Sequence, residues 1–137
     1  MLAKPTWAKQ FLTVDFETDY PTDRESGYGP TTKRWMAQSR NWMKMFLTEK
    51  MGASEVIWSK GYYYWTIFAK IGEQWWYFDT GDVRYKTMRS MLVRKAQGPK
   101  DYTGGANQFV SYRSPFFQAE LESVLKTGVS HLAPWDI

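Results

Sequence analysis

The chain has 137 residues, enough for one domain with a real core. It contains no cysteine and one histidine, which excludes a disulfide framework, thiolate metal sites and a histidine-rich metal centre. The net charge is +4, 43% of residues are apolar and 18% are aromatic, and no apolar run approaches the ~18 residues of a membrane span, so the expectation is a cytoplasmic protein.

Residues 1–30 carry three Lys/Arg against five Asp/Glu. A short strand fits residues 12–17, and "YPTDRESGYGPTT" then strings Pro, Gly, Ser and Asp together as loop chemistry. Pro30, Thr31 and Thr32 supply a helix start and Gly52 a stop, which predicts a helix over 31–51. At about 100° per residue, Trp35, Met36, Trp42, Met43, Phe46 and Leu47 share one arc, and Lys33, Arg40 and Lys44 form a stripe along its edge. That stripe reads as the solvated flank of an amphipathic helix, with an anion site beside the core as the functional alternative.

Three runs follow, "SEVIWSKG", "YYYWTIFAKI" and "EQWWYFDTG", each rich in β-branched and aromatic residues. Gly72-Glu73 fits a two-residue hairpin turn with glycine first, and pairing Ile71 with Gln74 fixes the register. Trp65, Ile67, Ala69, Trp76 and Phe78 then share an uncharged face, the predicted core face. Tyr64, Thr66, Phe68, Lys70, Trp75, Tyr77 and Asp79 share the other, which mixes rings with charge and is the candidate ligand face. Further strands are expected near Met91–Ala96 and Gln108–Tyr112. Ser114 and Pro115 read as the N-cap and first residue of a C-terminal helix at 115–127, with Phe117, Leu121, Val124 and Leu125 as its apolar stripe and Gly128 as its stop.

Charge is concentrated in the middle of the chain. Residues 82–113 hold seven Lys/Arg against two Asp/Glu, a distribution suited to an anionic partner. Arg84, Lys86, Arg89, Arg94, Lys95, Lys100 and Arg113 supply the excess. With Tyr64, Phe68, Trp75 and Tyr77 they meet the two needs of single-strand binding, rings for bases and cations for phosphates. In "DYTGGANQ", residues 101–108, adjacent glycines can turn backbone N–H groups toward an anion, though no P-loop order is present and a hairpin turn is the plainer reading.

Two resemblances add expectations. "DFET" at Asp15–Thr18 resembles the first motif of the four-carboxylate, proofreading-type exonucleases, and "HLAPWD" at 131–136 is similar to their last. The resemblance implies a metal-dependent 3′–5′ exonuclease with Asp15, Glu17 and Asp136 as metal ligands, His131 as general base, and Asp79 or Asp82 as the middle carboxylate. The chain departs from that pattern where a loop leads from the first strand straight into a helix, and where Pro134 interrupts the last motif. Separately, "WWYFDTGDVRY" and "KDYTGGANQ", within residues 75–108, resemble small uncharacterised proteins of phages and other mobile elements. That likeness implies an accessory role, by binding nucleic acid or a host protein.

The expected architecture is α+β: an antiparallel meander of four or five strands with a helix at 31–51 and another at 115–127. Residues 1–30 form an irregular acidic segment, 31–128 a single domain and 129–137 a tail. The expected function is non-enzymatic binding of nucleic acid, or of a host nucleic-acid-binding protein, through Tyr64, Phe68, Lys70, Trp75, Tyr77, Arg84, Arg94, Lys95, Lys100 and Arg113. The alternatives are the exonuclease and a protein-directed inhibitor or structural phage component. No catalytic residue, metal or cofactor is assigned, and no membrane partner is expected.

Overall fold

Pro30, whose missing N–H costs nothing in a first helical turn, opens helix α1 (Pro30–Met45) in the computed structural model of the chain. The structure describes residues 30–61, 64–81, 90–112, 114 and 116–130, with the side chains of residues 30–35 left undescribed. The α-helix ends earlier than the 31–51 expected from sequence. It passes into a π-helical turn (Phe46–Lys50), closed by a 3.1 Å bond from the Met51 N–H to the Phe46 carbonyl. Phe46 and Leu47, the first two residues of that turn, are both buried. Gly52, at φ +69°, then turns the chain out of the helix.

Five strands follow as a meander in the order β1 (Glu55–Lys60), β2 (Trp65–Ile71), β3 (Gln74–Asp79), β4 (Ser90–Ala96) and β5 (Gln108–Ser111), every neighbouring pair antiparallel. Ile71 pairs with Gln74 as the hairpin chemistry predicts. Of the two turn residues Gly72 alone has positive φ, at +60°, which matches a glycine-first turn rather than one needing two left-handed residues. Helix α2 (Phe117–Thr127) ends at Gly128, which has the left-handed conformation and donates its N–H to the Val124 carbonyl at 2.7 Å. Its start differs from expectation by two residues. Ser114 does not cap it directly; its hydroxyl accepts the Phe116 N–H at 3.0 Å and donates to the Glu120 carboxylate at 3.0 Å.

Both helices lie on the uncharged face of the sheet. Trp65, Ile67, Ala69, Trp76 and Phe78 form one core with Met36, Trp42, Met43, Phe46 and Leu47 of the first helical segment, and with Phe117, Leu121 and Val124 of α2. Rings join the helices directly, since Trp42 stacks on Phe46 at 4.8 Å and meets Phe117 at 6.0 Å.

A polar thread runs through this core around Trp65, which is fully buried. Its indole N–H donates to the Ser39 hydroxyl at 2.8 Å, and that hydroxyl donates to the Met36 carbonyl at 3.0 Å. The Trp65 backbone N–H donates to the Thr80 hydroxyl at 2.8 Å, and the same hydroxyl donates to the Trp65 carbonyl at 3.0 Å. Tyr112, just past β5, donates its hydroxyl to the Thr80 carbonyl at 2.8 Å. Burial, reinforced by the Asp79 charge, pushes the Tyr112 phenol well above its ordinary range and holds it as a neutral donor.

Ser39→Ala leaves the indole N–H buried with no acceptor, a loss of about 1–3 kcal/mol in stability. Urea unfolding measures it; a loss under about 0.5 kcal/mol would show that the bond is dispensable.

Candidate binding surface

The second face of the sheet is covered at its centre and open on its β1 side, where Ile57 is 45% exposed. Cross-strand pairing aligns Ile57, Phe68, Tyr77 and Arg94 in one row across four strands. Tyr102, in the loop between β4 and β5, stands over this row, with its ring centroid 5.2 Å from Phe68 and 5.8 Å from Tyr77, while Phe68 and Tyr77 lie 5.0 Å apart. Phe68 is left 3% exposed and Tyr77 6%. Neither ring can stack on a base, which corrects the stacking role expected of them from sequence. A loop, not a helix, covers these rings.

Arg94 is held in that lid and is itself 9% exposed. Its guanidinium lies 4.4 Å above the Tyr77 ring, and it donates to the Asn107 side-chain oxygen at 3.3 Å and to the Tyr102 carbonyl. It secures the loop and offers little charge to a partner. The glycines of "DYTGGANQ" serve the same closure. The anion that meets the Gly104 N–H is the chain's own Asp101 carboxylate, at 2.9 Å, and it also accepts from Thr103 at 3.2 Å and Gln97 at 2.9 Å. A Cβ at Gly105 would lie 2.5 Å from the Lys95 carbonyl oxygen, so glycine is required for the loop to approach β4. The anion cradle weighed from sequence is thus already filled from within the chain.

The other predicted site residues scatter. Lys70 and Trp75 lie partly buried beside each other at the hairpin end of the second face. Lys95 pairs with Trp76, placing it on the helix face, where it lines a hollow with Leu125 and Gly128 at the end of α2. Lys100 is exposed in the loop at φ +73°. Arg84, Arg113, Asp15, Glu17, Asp82, His131 and Asp136 lie outside the described residues. Among the described residues no three His, Cys, Asp or Glu side chains form a metal-binding group.

The structure brings a different set of rings and cations together at the β1 edge. Trp58 is 41% exposed, with the Arg40 guanidinium 4.4 Å and the Lys44 ammonium 5.2 Å from its ring centroid. Arg40 and Lys44 are one helical turn apart on α1 and therefore share a flank. That flank is the stripe visible in the sequence; its partner Trp58 was hidden because nothing in the sequence places β1 beneath it. Lys60, exposed, ends the same strand, and Tyr64, 43% exposed, follows. The Tyr64 ring lies over Gly61, where a Cβ would come within 2.7 Å of it.

Around the strand end a cleft of about 320 Å³ opens on the second face, lined by Ser59, Lys60, Gly61, Tyr64, Thr66, Tyr77, Asp79 and Tyr102. Ser59 and Thr66 join hydroxyls at 2.7 Å across β1 and β2. Asp79 accepts the Tyr77 hydroxyl at 3.0 Å on one oxygen and the Gly81 N–H at 2.8 Å on the other. Burial, then the Asp79 charge, raises the Tyr77 phenol above its ordinary range, so it is a neutral donor.

Comparison with protein-family models, curated proteins and solved structures finds no match to this chain. Among the described residues no helix is long and apolar enough to cross a membrane.

The loop lid depends on pH through Asp101. Backbone N–H bonds, led by that of Gln97, hold its carboxyl below the ordinary carboxylate value. A depressed folded value means the lid is stabilised above the unfolded pKa of about 3.9 and loses that support as pH falls through the folded one. Amide exchange at Thr103 and Gly104 is expected to quicken relative to wild type in Asp101→Ala at pH 6; unchanged protection would show that other contacts hold the lid.

Proposed function

We propose that the chain is a non-enzymatic binding protein that takes single-stranded nucleic acid along the β1 edge, as an accessory factor of a phage or other mobile element. The observation that carries this reading is the half-exposed Trp58 indole flanked by Arg40 and Lys44. Single-strand binding needs an aromatic face for a base and cations at phosphate distance from it, without a sequence-reading groove. Trp58 with Tyr64 supplies the rings, and Arg40, Lys44 and Lys60 supply the charge. The net charge of +4 adds long-range attraction for a polyanion. β1 also lies at a sheet edge, so a strand of nucleic acid can follow it without displacing either helix or the loop lid.

Three phosphate contacts on a single strand give a slope of about −2 in log K against log salt. A labelled oligonucleotide of about twelve residues, titrated at several salt concentrations, is expected to show it. Arg40→Gln with Lys44→Gln lowers the slope toward about −0.7, and Trp58→Ala weakens binding by about 1–3 kcal/mol. No binding at low salt, or equal binding by Trp58→Ala, would contradict the proposal. Salt-independent capture of a protein through the same edge would point to the protein-directed alternative.

A further inference from the structure

The geometry points to the cleft bounded by Asp79, Lys60, Tyr64 and Tyr102 as a pocket for a guanine nucleotide, seated where a strand bound along the β1 edge reaches the end of β1. This assignment deepens the proposed function and rests on it for the path of the strand, while the pocket is defined by its own groups.

The Asp79 carboxylate lines the cleft. An ionised carboxylate offers about four lone-pair sites, two on each oxygen. Tyr77 occupies one site on one oxygen and Gly81 one on the other, so each oxygen retains acceptor capacity. Both internal bonds also fix the rotation of the carboxylate, which makes it a prepared bidentate acceptor. Among the described residues no cation pairs with it. A ligand that completes it must present two adjacent donors in a plane, as the N1–H and exocyclic amino group of guanine do.

Two tyrosines and a lysine form the cleft's walls. Tyr64 and Tyr102, 43% and 51% exposed, are rings on the rim with free surface for a flat base. Tyr102 is positioned, not loose, because its carbonyl accepts from Arg94 and its neighbour Asp101 ties down the loop. Lys60 decides between ligands that share the two-donor edge. A guanidinium group would meet the Lys60 ammonium as a like charge, whereas a nucleotide carries a phosphate that the ammonium attracts. The Ser59 and Thr66 hydroxyls, on the same wall, are placed to meet the sugar. The volume of about 320 Å³ falls at the small end of ligand pockets, fitting one nucleotide and not an extended polymer.

Two sets of titrations test this, with the full chain throughout. In the first, guanosine, inosine and adenosine 5′-monophosphates and L-arginine amide are added singly and binding is followed by the shifts of the Gly81 and Tyr102 amides. Guanosine monophosphate is expected to bind at least about fivefold more tightly than inosine monophosphate, which lacks the amino group, and than adenosine monophosphate. Asp79→Asn, which cannot accept two donors, removes that preference; Tyr64→Ala weakens all nucleotides and leaves the fold intact because the ring is on the rim. Equal affinity for the three nucleotides, preference for arginine amide, or a guanine preference that survives Asp79→Asn overturns the assignment. In the second, oligo-dT strands with and without a single guanine are compared. Strand binding without guanine preference and without mononucleotide binding removes the pocket but leaves the β1 edge. Mononucleotide binding with no strand binding keeps the pocket and removes the edge.

Discussion

The buried indole of Trp65 constrains every layer of this protein. It fills the core between sheet and helices, and its N–H must find an acceptor there or lose about 1–3 kcal/mol. Ser39 supplies that acceptor, which sets α1 at one rotation and height over β2. The backbone of the same residue is clamped on the other side by Thr80, whose hydroxyl both accepts from and donates to it. Thr80 in turn receives Tyr112, which brings the end of β5 back toward the centre of the sheet. One tryptophan thereby couples the first helix, the β2–β3 pair and the last strand, and the apolar contacts pack around that framework.

With the helices fixed on one face, the second face needed another cover, and the β4–β5 loop provides it. Tyr102 packs its edge against Phe68 and Tyr77, and Arg94 anchors the loop from below while lying over a ring. The loop's chemistry is inward. Asp101 uses its charge on the loop's own N–H groups, and Gly105 permits the close approach to β4. Residues that look like binding groups in isolation are in this way spent on closing the fold. What remains accessible is the β1 edge with Trp58, Arg40, Lys44 and Lys60, and the cleft beside it.

The sequence was legible where chemistry is local. Gly72-Glu73 determined the β2–β3 register, and with it the separation of Trp65, Ile67, Ala69, Trp76 and Phe78 from the charged face. The α+β class, a meander of four or five strands, of which the structure has five, and the stop at Gly128 followed from the same kind of signal. Less legible was everything set by distant contact. The π turn at Phe46–Lys50 leaves no mark in the apolar pattern, because periodicity read at 3.6 residues runs straight through it. The hollow that Lys95 lines with Leu125 and Gly128 joins β4 to the end of α2, far apart in sequence. The pairing of Trp58 with Arg40 and Lys44 joins residues of helix and edge strand that only the tertiary fold brings together.

Helices and loop cover the centre of the sheet on its two sides and leave the β1 edge open, and nuclear magnetic resonance of the uniformly ¹⁵N-labelled chain tests that division most directly. On titration with a single-stranded oligonucleotide, the Trp58 indole N–H and the amides of Lys60 and Tyr64 are expected to shift, while the Trp65 and Trp76 indoles stay in place. Shifts confined to β5 and the Lys95 hollow, or movement of the Trp65 indole before that of Trp58, would contradict it.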